Sequence, residues 1–333
     1  MPSLRARMIN TLLRLTVKPL WRPGLTVDAI RRHTARTDAR LGRRRVECVT
    51  ESISIAGVPA TWYGAPDLAE RNGTLLYLHG GAWCVHLPGM YGAFAARLSV
   101  ATGMRVLLVD YRLAPEHRFP AAVDDCLAAY RALVAGPTGR PRVIAGDSAG
   151  GNLALVTLMQ ARDAQLPLPA CAVLLSPATD ISMSGPSIRY NAKADPMFSA
   201  GAGDLLPDLY CPGLERTLPL ISPLHGDWTG LPPLYFLAGS TEMLLDDSVR
   251  AHDRAQQAGT SSRIDVWPDL PHVFPLFPQL PEATQAIRDI VAFIDEHARS
   301  VAALPLSAAP HARPDPAPAS GITAVEPANR GSL

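Results

Sequence analysis

The sequence predicts an α/β protein with a mainly parallel central sheet and helices on both faces. Two observations carry this. First, residues 74–78 form a continuous apolar run, as in a strand buried on both faces, 104–109 reads as another buried strand and 170–175 as a further strand. Second, segments of helical period separate them, which demands crossover connections between parallel strands.

Residues 1–45 are helical and basic, broken near Lys18-Pro19 and again at Arg22-Pro23-Gly24. In the first segment Leu4, Met8, Leu12 and Leu15 fall at helical spacing, with Ile9 and Leu13 beside them. Arg14 and Lys18 interrupt the apolar run and no small-residue cleavage site follows, so it reads as neither signal peptide nor membrane span. An amphipathic helix packed on the protein's own body is the expectation, with transient membrane-surface contact as the lesser alternative. The main body, residues 46–302, opens with a hairpin: 46–55 rich in Val, Ile and Thr, a turn at Ala56-Gly57, and a partner strand at 59–63. A helix is expected near 91–100 and another over 121–133. Further strands are expected at 233–238 and 263–267, and further helices at 245–258 and 282–298. The stretch 179–223 has no clear period. Residues 303–333 are Ala/Pro-rich without period and read as a disordered tail.

The chain has 333 residues, 47% of them hydrophobic and 18% charged, which suits a globular enzyme with a sizeable core. A net charge of +1 gives no reason to expect nucleic acid as a partner. The five cysteines are scattered, without C-x-x-C, as in buried free thiols of a reducing, cytoplasmic compartment.

The chemistry centres on Val143-Ile144-Ala145-Gly146-Asp147-Ser148-Ala149-Gly150-Gly151, followed by the helical pattern Asn152 to Met159. It reads as strand, sharp turn, helix, with G-x-S-x-G at the turn. A serine at the tip of so tight a turn has strained backbone angles, and glycines two residues either side relieve the crowding. The helix start aims free N–H groups at the same place.

Such a serine needs a base, a group to orient the base, and donors for an oxyanion. In a parallel sheet these come from loops at the carboxyl ends of strands. His272, in Pro268-Asp269-Leu270-Pro271-His272, lies just past the strand ending at Trp267. His225 lies in the irregular stretch, His252 mid-helix, His297 near the end of the last helix and His311 in the tail. Glu242 follows the preceding strand; Asp246 and Asp247 fall where a helix begins and read as caps. The order serine, acid, histidine suits this turn. After the strand 74–78, His79-Gly80-Gly81-Ala82 lets backbone N–H groups approach a ligand closely.

Three motifs together resemble those of α/β-hydrolases of the hormone-sensitive-lipase-like group, the bacterial family IV esterases. They are His79-Gly80-Gly81-Ala82, Asp110-Tyr111-Arg112-Leu113-Ala114-Pro115-Glu116 with Phe119-Pro120-Ala121, and Gly146-Asp147-Ser148-Ala149-Gly150-Gly151. The resemblance implies a carboxylesterase acting on short acyl esters without metal or cofactor. It implies a cap built from residues 1–45 and an insertion at about 180–222, with Met8, Trp21, Met197, Phe198 and Tyr210 lining or covering the pocket. Ser148 is then the nucleophile, His272 the base and Glu242 the acid, with N–H groups of Gly81, Ala82 and Ala149 as the oxyanion hole. Two departures stand out. Ala82 replaces the family's third glycine and is expected to donate from a conformation of negative φ. Glu242-Met243-Leu244 replaces the family's D-P-L. Asp147 and Glu116 are assigned to structural pairing, and Asp110 is expected to pair with Arg112. The same triad would also serve a lactone hydrolase or an acyltransferase. Plant gibberellin receptors resemble this family but lack the histidine. The expected partner is a small-molecule ester or lactone, with no stable membrane insertion; a homodimer is compatible with the sequence.

Overall fold

The computed structural model describes residues 2–21, 26–41, 46–65, 73–136, 142–199 and 201–302. The break at Arg22-Pro23-Gly24 and the tail at 303–333 lie outside these residues.

An eight-stranded sheet runs in the order β1-β2-β4-β3-β5-β6-β7-β8. The strands β1 (Val49–Ile55) and β2 (Val58–Gly64) form the antiparallel hairpin, and β2 pairs antiparallel with β4 (Arg105–Val109). From β4 the sheet is parallel through β3 (Thr74–Leu78), β5 (Val143–Asp147), β6 (Cys171–Leu175), β7 (Leu234–Gly239) and β8 (Ser262–Trp267). Successive side chains of a strand point to opposite faces, so each strand feeds two cores. Leu76 and Leu78 face α4 (Ala121–Ala135), α5 (Ala149–Asp163) and α8 (Leu245–Gln257). Leu75 and Tyr77 face α3 (Pro88–Thr102) and α9 (Pro281–Ala302). Each such leucine removed from water contributes about 1.5–3 kcal/mol, which is why these strands tolerate no polar alternation.

The aperiodic stretch between β6 and β7 holds two short helices, α6 (Ser187–Tyr190) and α7 (Ala202–Tyr210). Its order comes from side chains gripping backbone: Asn191 Nδ2 donates to the carbonyls of Ser240 and Glu242, and Asp195 accepts from Met197, Phe198 and Met243 N–H groups. Such bonds have no period, so none was visible in the sequence. At the N-terminus, α1 (Leu4–Thr16) is capped by Ser3, whose own N–H and hydroxyl donate to Glu282 of α9. The helix docks through Ala6, Asn10 and Leu13. The four residues expected to pack, Leu4, Met8, Leu12 and Leu15, instead face solvent. Further along, α2 (Val27–Leu41) places Asp38 under the first turn of α3, accepting from Gly89 and Met90 N–H groups. Among the described residues no helix is long and apolar enough to cross a membrane.

Candidate active site

The loops at the carboxyl ends of β3, β5, β6 and β7 line one largely apolar cleft, and the loop after β8 packs against it where His272 meets Phe198. Ser148 stands between β5 and α5 with φ 50° and ψ −119°, the strained conformation expected of the turn. The flanking glycines are sterically required. A Cβ on Gly146 would lie 2.3 Å from the Gly150 carbonyl oxygen, and one on Gly150 only 2.0 Å from that of Leu78. The turn is pinned by Ser148 N–H donating to Leu175 O at 2.9 Å and by Ser148 O accepting from Asn152 and Ala178.

His272 follows β8 and is buried. Its Nδ1 donates to Oε2 of Glu242 at 2.7 Å, and Glu242 is itself fully buried in the loop after β7. Burial pushes the His272 imidazole down, but the charge and hydrogen bond of Glu242 outweigh it and hold its pKa above the ordinary value. The opposite ring atom, Nε2, is buried without a hydrogen-bond partner among the described residues. Phe198 lies edge-on to this ring with centroids 4.9 Å apart, and lines the same cleft as Ser148. Glu242 is held in turn. Its Oε1 accepts from the Ser176 hydroxyl at 2.8 Å and from Gly239 N–H, and the Ser176 oxygen accepts from Val273 N–H at 3.1 Å. Ser176 was not singled out from the sequence, although its place just past β6 is where strand-end logic would look. Asp246 and Asp247 sit in the first turn of α8, away from His272. Asp246 accepts from Ser187 N–H, and Asp247 accepts from Asp180 N–H beside Arg250. Burial raises the Asp247 carboxyl to about 7.

The loop after β3 folds back under Asp147. Its carboxylate accepts from Gly80 N–H and from the hydroxyls of Tyr77 and Tyr91. Burial lifts the carboxyl to about 6, with these three donors restraining it. Gly81 has φ +111°, and a Cβ there would meet Val85 O at 2.0 Å. Ala82 has φ +54° and Trp83 φ +56°, so the negative φ expected of Ala82 is not adopted. The bonds from Cys84 and Val85 N–H groups to Gly81 O close a tight turn that imposes the left-handed region despite the Cβ. The backbone N–H groups of Gly81, Ala82 and Ala149 find no backbone acceptor among the described residues.

His79 is stacked between His86 and Tyr111, with centroids at 4.5 and 4.3 Å, and its Nδ1 donates to Gly80 O. Burial, aided by His86, lowers its pKa to about 3, so the ring is neutral and serves as a brace. His79, His86 and Asp110 bring three potential metal-ligand atoms within 4.8 Å of one another. The two imidazoles are stacked at 17°, so their in-plane lone pairs run side by side without converging, and Asp110 already pairs with His86 at 3.1 Å. That last contact replaces the expected Asp110–Arg112 pair. Arg112 instead forks onto Asp125, and Glu116 pairs with Arg31. The topology brings these partners from the next helix and from α2, which no local spacing reveals.

The cleft holds about 500 Å³ of space including its mouth, and its lining is apolar: Trp83, Ile188, Phe198, Leu206 and Met243 among others. Of the residues expected near it, Phe198 lines it, Trp21 packs on Phe198, and Tyr210 stacks on Trp83. Met197 is partly buried against the same core. Met8 is 71% exposed and takes no part.

A family of the α/β-hydrolase fold matches residues 75–276. An acetyl-hydrolase of Streptomyces hygroscopicus is 41% identical over 230 residues, covering 68% of this chain and 77% of that protein. The carboxylesterase/phospholipase LipF of Mycobacterium tuberculosis is 32% identical over 306 residues, covering 88% and 82%. The crystal structure of an esterase from the bacterial hormone-sensitive lipase family superposes with a TM-score of 0.82 at 37% identity, covering 90% of this chain and 99% of that one.

Proposed function

The chain belongs to the α/β-hydrolase fold family, in its hormone-sensitive-lipase-like group, and from that membership we propose that it is a serine carboxylesterase of short-chain acyl esters. The observation that carries the reading is the buried Glu242–His272 pair, whose Nε2 has no hydrogen-bond partner among the described residues and whose ring packs on Phe198, a residue that lines the same cleft as Ser148. Ser148 Oγ attacks the ester carbonyl carbon while His272 Nε2 takes its proton. The carbonyl π electrons move to oxygen, and the N–H groups of Gly81, Ala82 and Ala149 stabilise the oxyanion. Each such donor is worth about 2.7–4 kcal/mol. Collapse expels the alkoxide, which leaves as the alcohol with the proton from Nε2. Water, deprotonated by the same nitrogen, then releases the carboxylic acid and restores Ser148. Glu242 holds the tautomer with hydrogen on Nδ1 and balances the imidazolium charge.

Short acyl groups suit an apolar cleft lined beside Ser148 by Trp83, Phe198 and Leu206. Residues 1–45 and about 180–222 act as the cap: Trp21 reaches Phe198, and Lys18 Nζ donates to the carbonyls of Ala192 and Asp195 at 2.8 and 2.6 Å. The decisive experiment is labelling with an alkyl phosphonate p-nitrophenyl ester followed by peptide mass mapping, with a series of p-nitrophenyl esters of rising acyl length. A single adduct on Ser148 and a fall in kcat/KM with chain length are expected. An adduct elsewhere, or full activity in Ser148→Ala, rejects the assignment.

A further inference from the structure

α1 carries two apolar faces, and the protein covers only one. Ala6 and Leu13 are buried, with the buried amide of Asn10 between them donating to Asp269 O at 2.9 Å. On the other side Leu4, Met8, Leu12 and Leu15 are 76%, 71%, 58% and 73% exposed. At roughly 100° per residue these four share an arc of about 80°, nearly opposite the docked face. Surface helices of globular proteins ordinarily turn a polar face outward, so four long apolar side chains in one outward stripe need an occupant.

Charge identifies it. Arg5 lies on one side of the stripe, and Arg7 and Arg14 on the other; all three are exposed, and α1 contains no acidic residue. The asymmetry extends beyond the helix. Residues 1–45 hold twelve of the chain's 31 Lys and Arg but only two of its 30 Asp and Glu, in a protein of net charge +1. A second copy docking through the same stripe would set arginine against arginine with no carboxylate to answer. An anionic lipid surface answers both features, taking leucine and methionine at the acyl boundary and arginine at the headgroups.

We propose that α1 is a peripheral membrane contact that lays its Leu4–Met8–Leu12–Leu15 stripe on anionic lipid. Docking there sets the cleft beside the lipid boundary. Asn10 touches the loop that carries His272, and Arg14 Nη2 donates to Ala194 O at 2.9 Å in the segment leading to Phe198.

The test is flotation of the full chain with vesicles of phosphatidylcholine alone or mixed with phosphatidylglycerol, at low and high salt, alongside sedimentation of the protein by itself. The chain should float with the mixed vesicles, at least tenfold less with phosphatidylcholine, and less as salt rises. Leu12→Asp with Leu15→Asp should abolish flotation while leaving the melting temperature and hydrolysis of a water-soluble ester unchanged. Arg5→Gln with Arg7→Gln should weaken it by about fivefold per cation. Absence of flotation in the wild type, or its survival in the Leu12/Leu15 variant, overturns the proposal. So does a wild-type dimer that this variant dissociates, since a second copy would then be the occupant. No substrate is present in the flotation, so its failure would leave the esterase reading untouched.

Discussion

The hydroxyl of Ser176 donates to Oε1 of Glu242 at 2.8 Å, on the carboxylate oxygen opposite the one that holds His272. The same hydroxyl oxygen receives Val273 N–H, from the residue after His272. One side chain thus ties the acid and the loop of the base to the end of β6. In Ser176→Ala the carboxylate loses a donor and a buried N–H loses its acceptor, costing about 1–3 kcal/mol of stability. We expect kcat to fall by about tenfold with KM little changed, and the acid limb of the pH–rate profile to move. A variant with lowered stability but unaltered kcat and pH profile would reduce Ser176 to a packing role.

Glu242→Gln keeps the shape of the side chain and removes the charge that balances the imidazolium. A fall in kcat of about 10⁴-fold is expected, the size found when a triad carboxylate becomes an amide. Asp246→Asn and Asp247→Asn should keep turnover and show their effect in thermal melts, since their bonds go to Ser187 and Asp180. Steady-state kinetics of the three variants decide between the carboxylates.

The pH dependence has opposite signs for activity and stability. His272 must be neutral to act as a base, and its folded pKa lies above the ordinary 6.5, so kcat/KM should climb with pH through a midpoint above 6.5. A raised folded pKa means that the charged pair's contribution to stability is complete below 6.5 and fades as pH rises through the folded value. In Glu242→Gln burial remains while the main raising partner is gone and only the charges of Asp195 and Asp147 still raise the imidazole, so the residual activity should titrate at a lower pH than in the wild type. pH–rate profiles and pH-dependent melts measure the two halves separately.

Glycine substitutions separate close approach from backbone strain. A Cβ at Gly150 would strike the carbonyl oxygens of Leu78 at 2.0 Å and His79 at 2.5 Å, both backbone atoms that cannot step aside. Gly150→Ala should therefore distort the turn of Ser148, lower the melting temperature markedly and cost most of the activity. Gly213, with φ +72° and nothing within 4 Å of its Cβ position, isolates the conformational penalty. Gly213→Ala should cost only about 1–2 kcal/mol, with kcat unchanged in the same assay.

Much of the candidate site was legible because its signals are local. Gly146 answers a clash within its own turn, while the need for Gly150 comes from the carbonyls of Leu78 and His79 at the end of β3; the positions of Glu242 and His272 follow from where strands stop. The class of the sheet was legible for the same reason, since buried parallel strands must be apolar throughout. Ser176, Asn191 and Asp195 were not, because each acts through one hydrogen bond to a distant loop and leaves no pattern. Arg112 was paired with the wrong carboxylate by sequence proximity.

Taken alone, then, the residues determined the α/β sheet, the strained serine turn, and the chain order in which Ser148, Glu242 and His272 follow strand ends, all consequences of steric and hydrophobic rules acting over a few positions. Tertiary structure alone decided which way things faced. It drove Ala82 to φ +54° because the turn closing on Gly81 O leaves no other path. It also chose between the two apolar stripes of α1. Helical period favours the Leu4, Met8, Leu12 and Leu15 stripe as the core face, and only the fit of Ala6, Asn10 and Leu13, with Ser3 on α9 and Asn10 on the His272 loop, turns the other face inward.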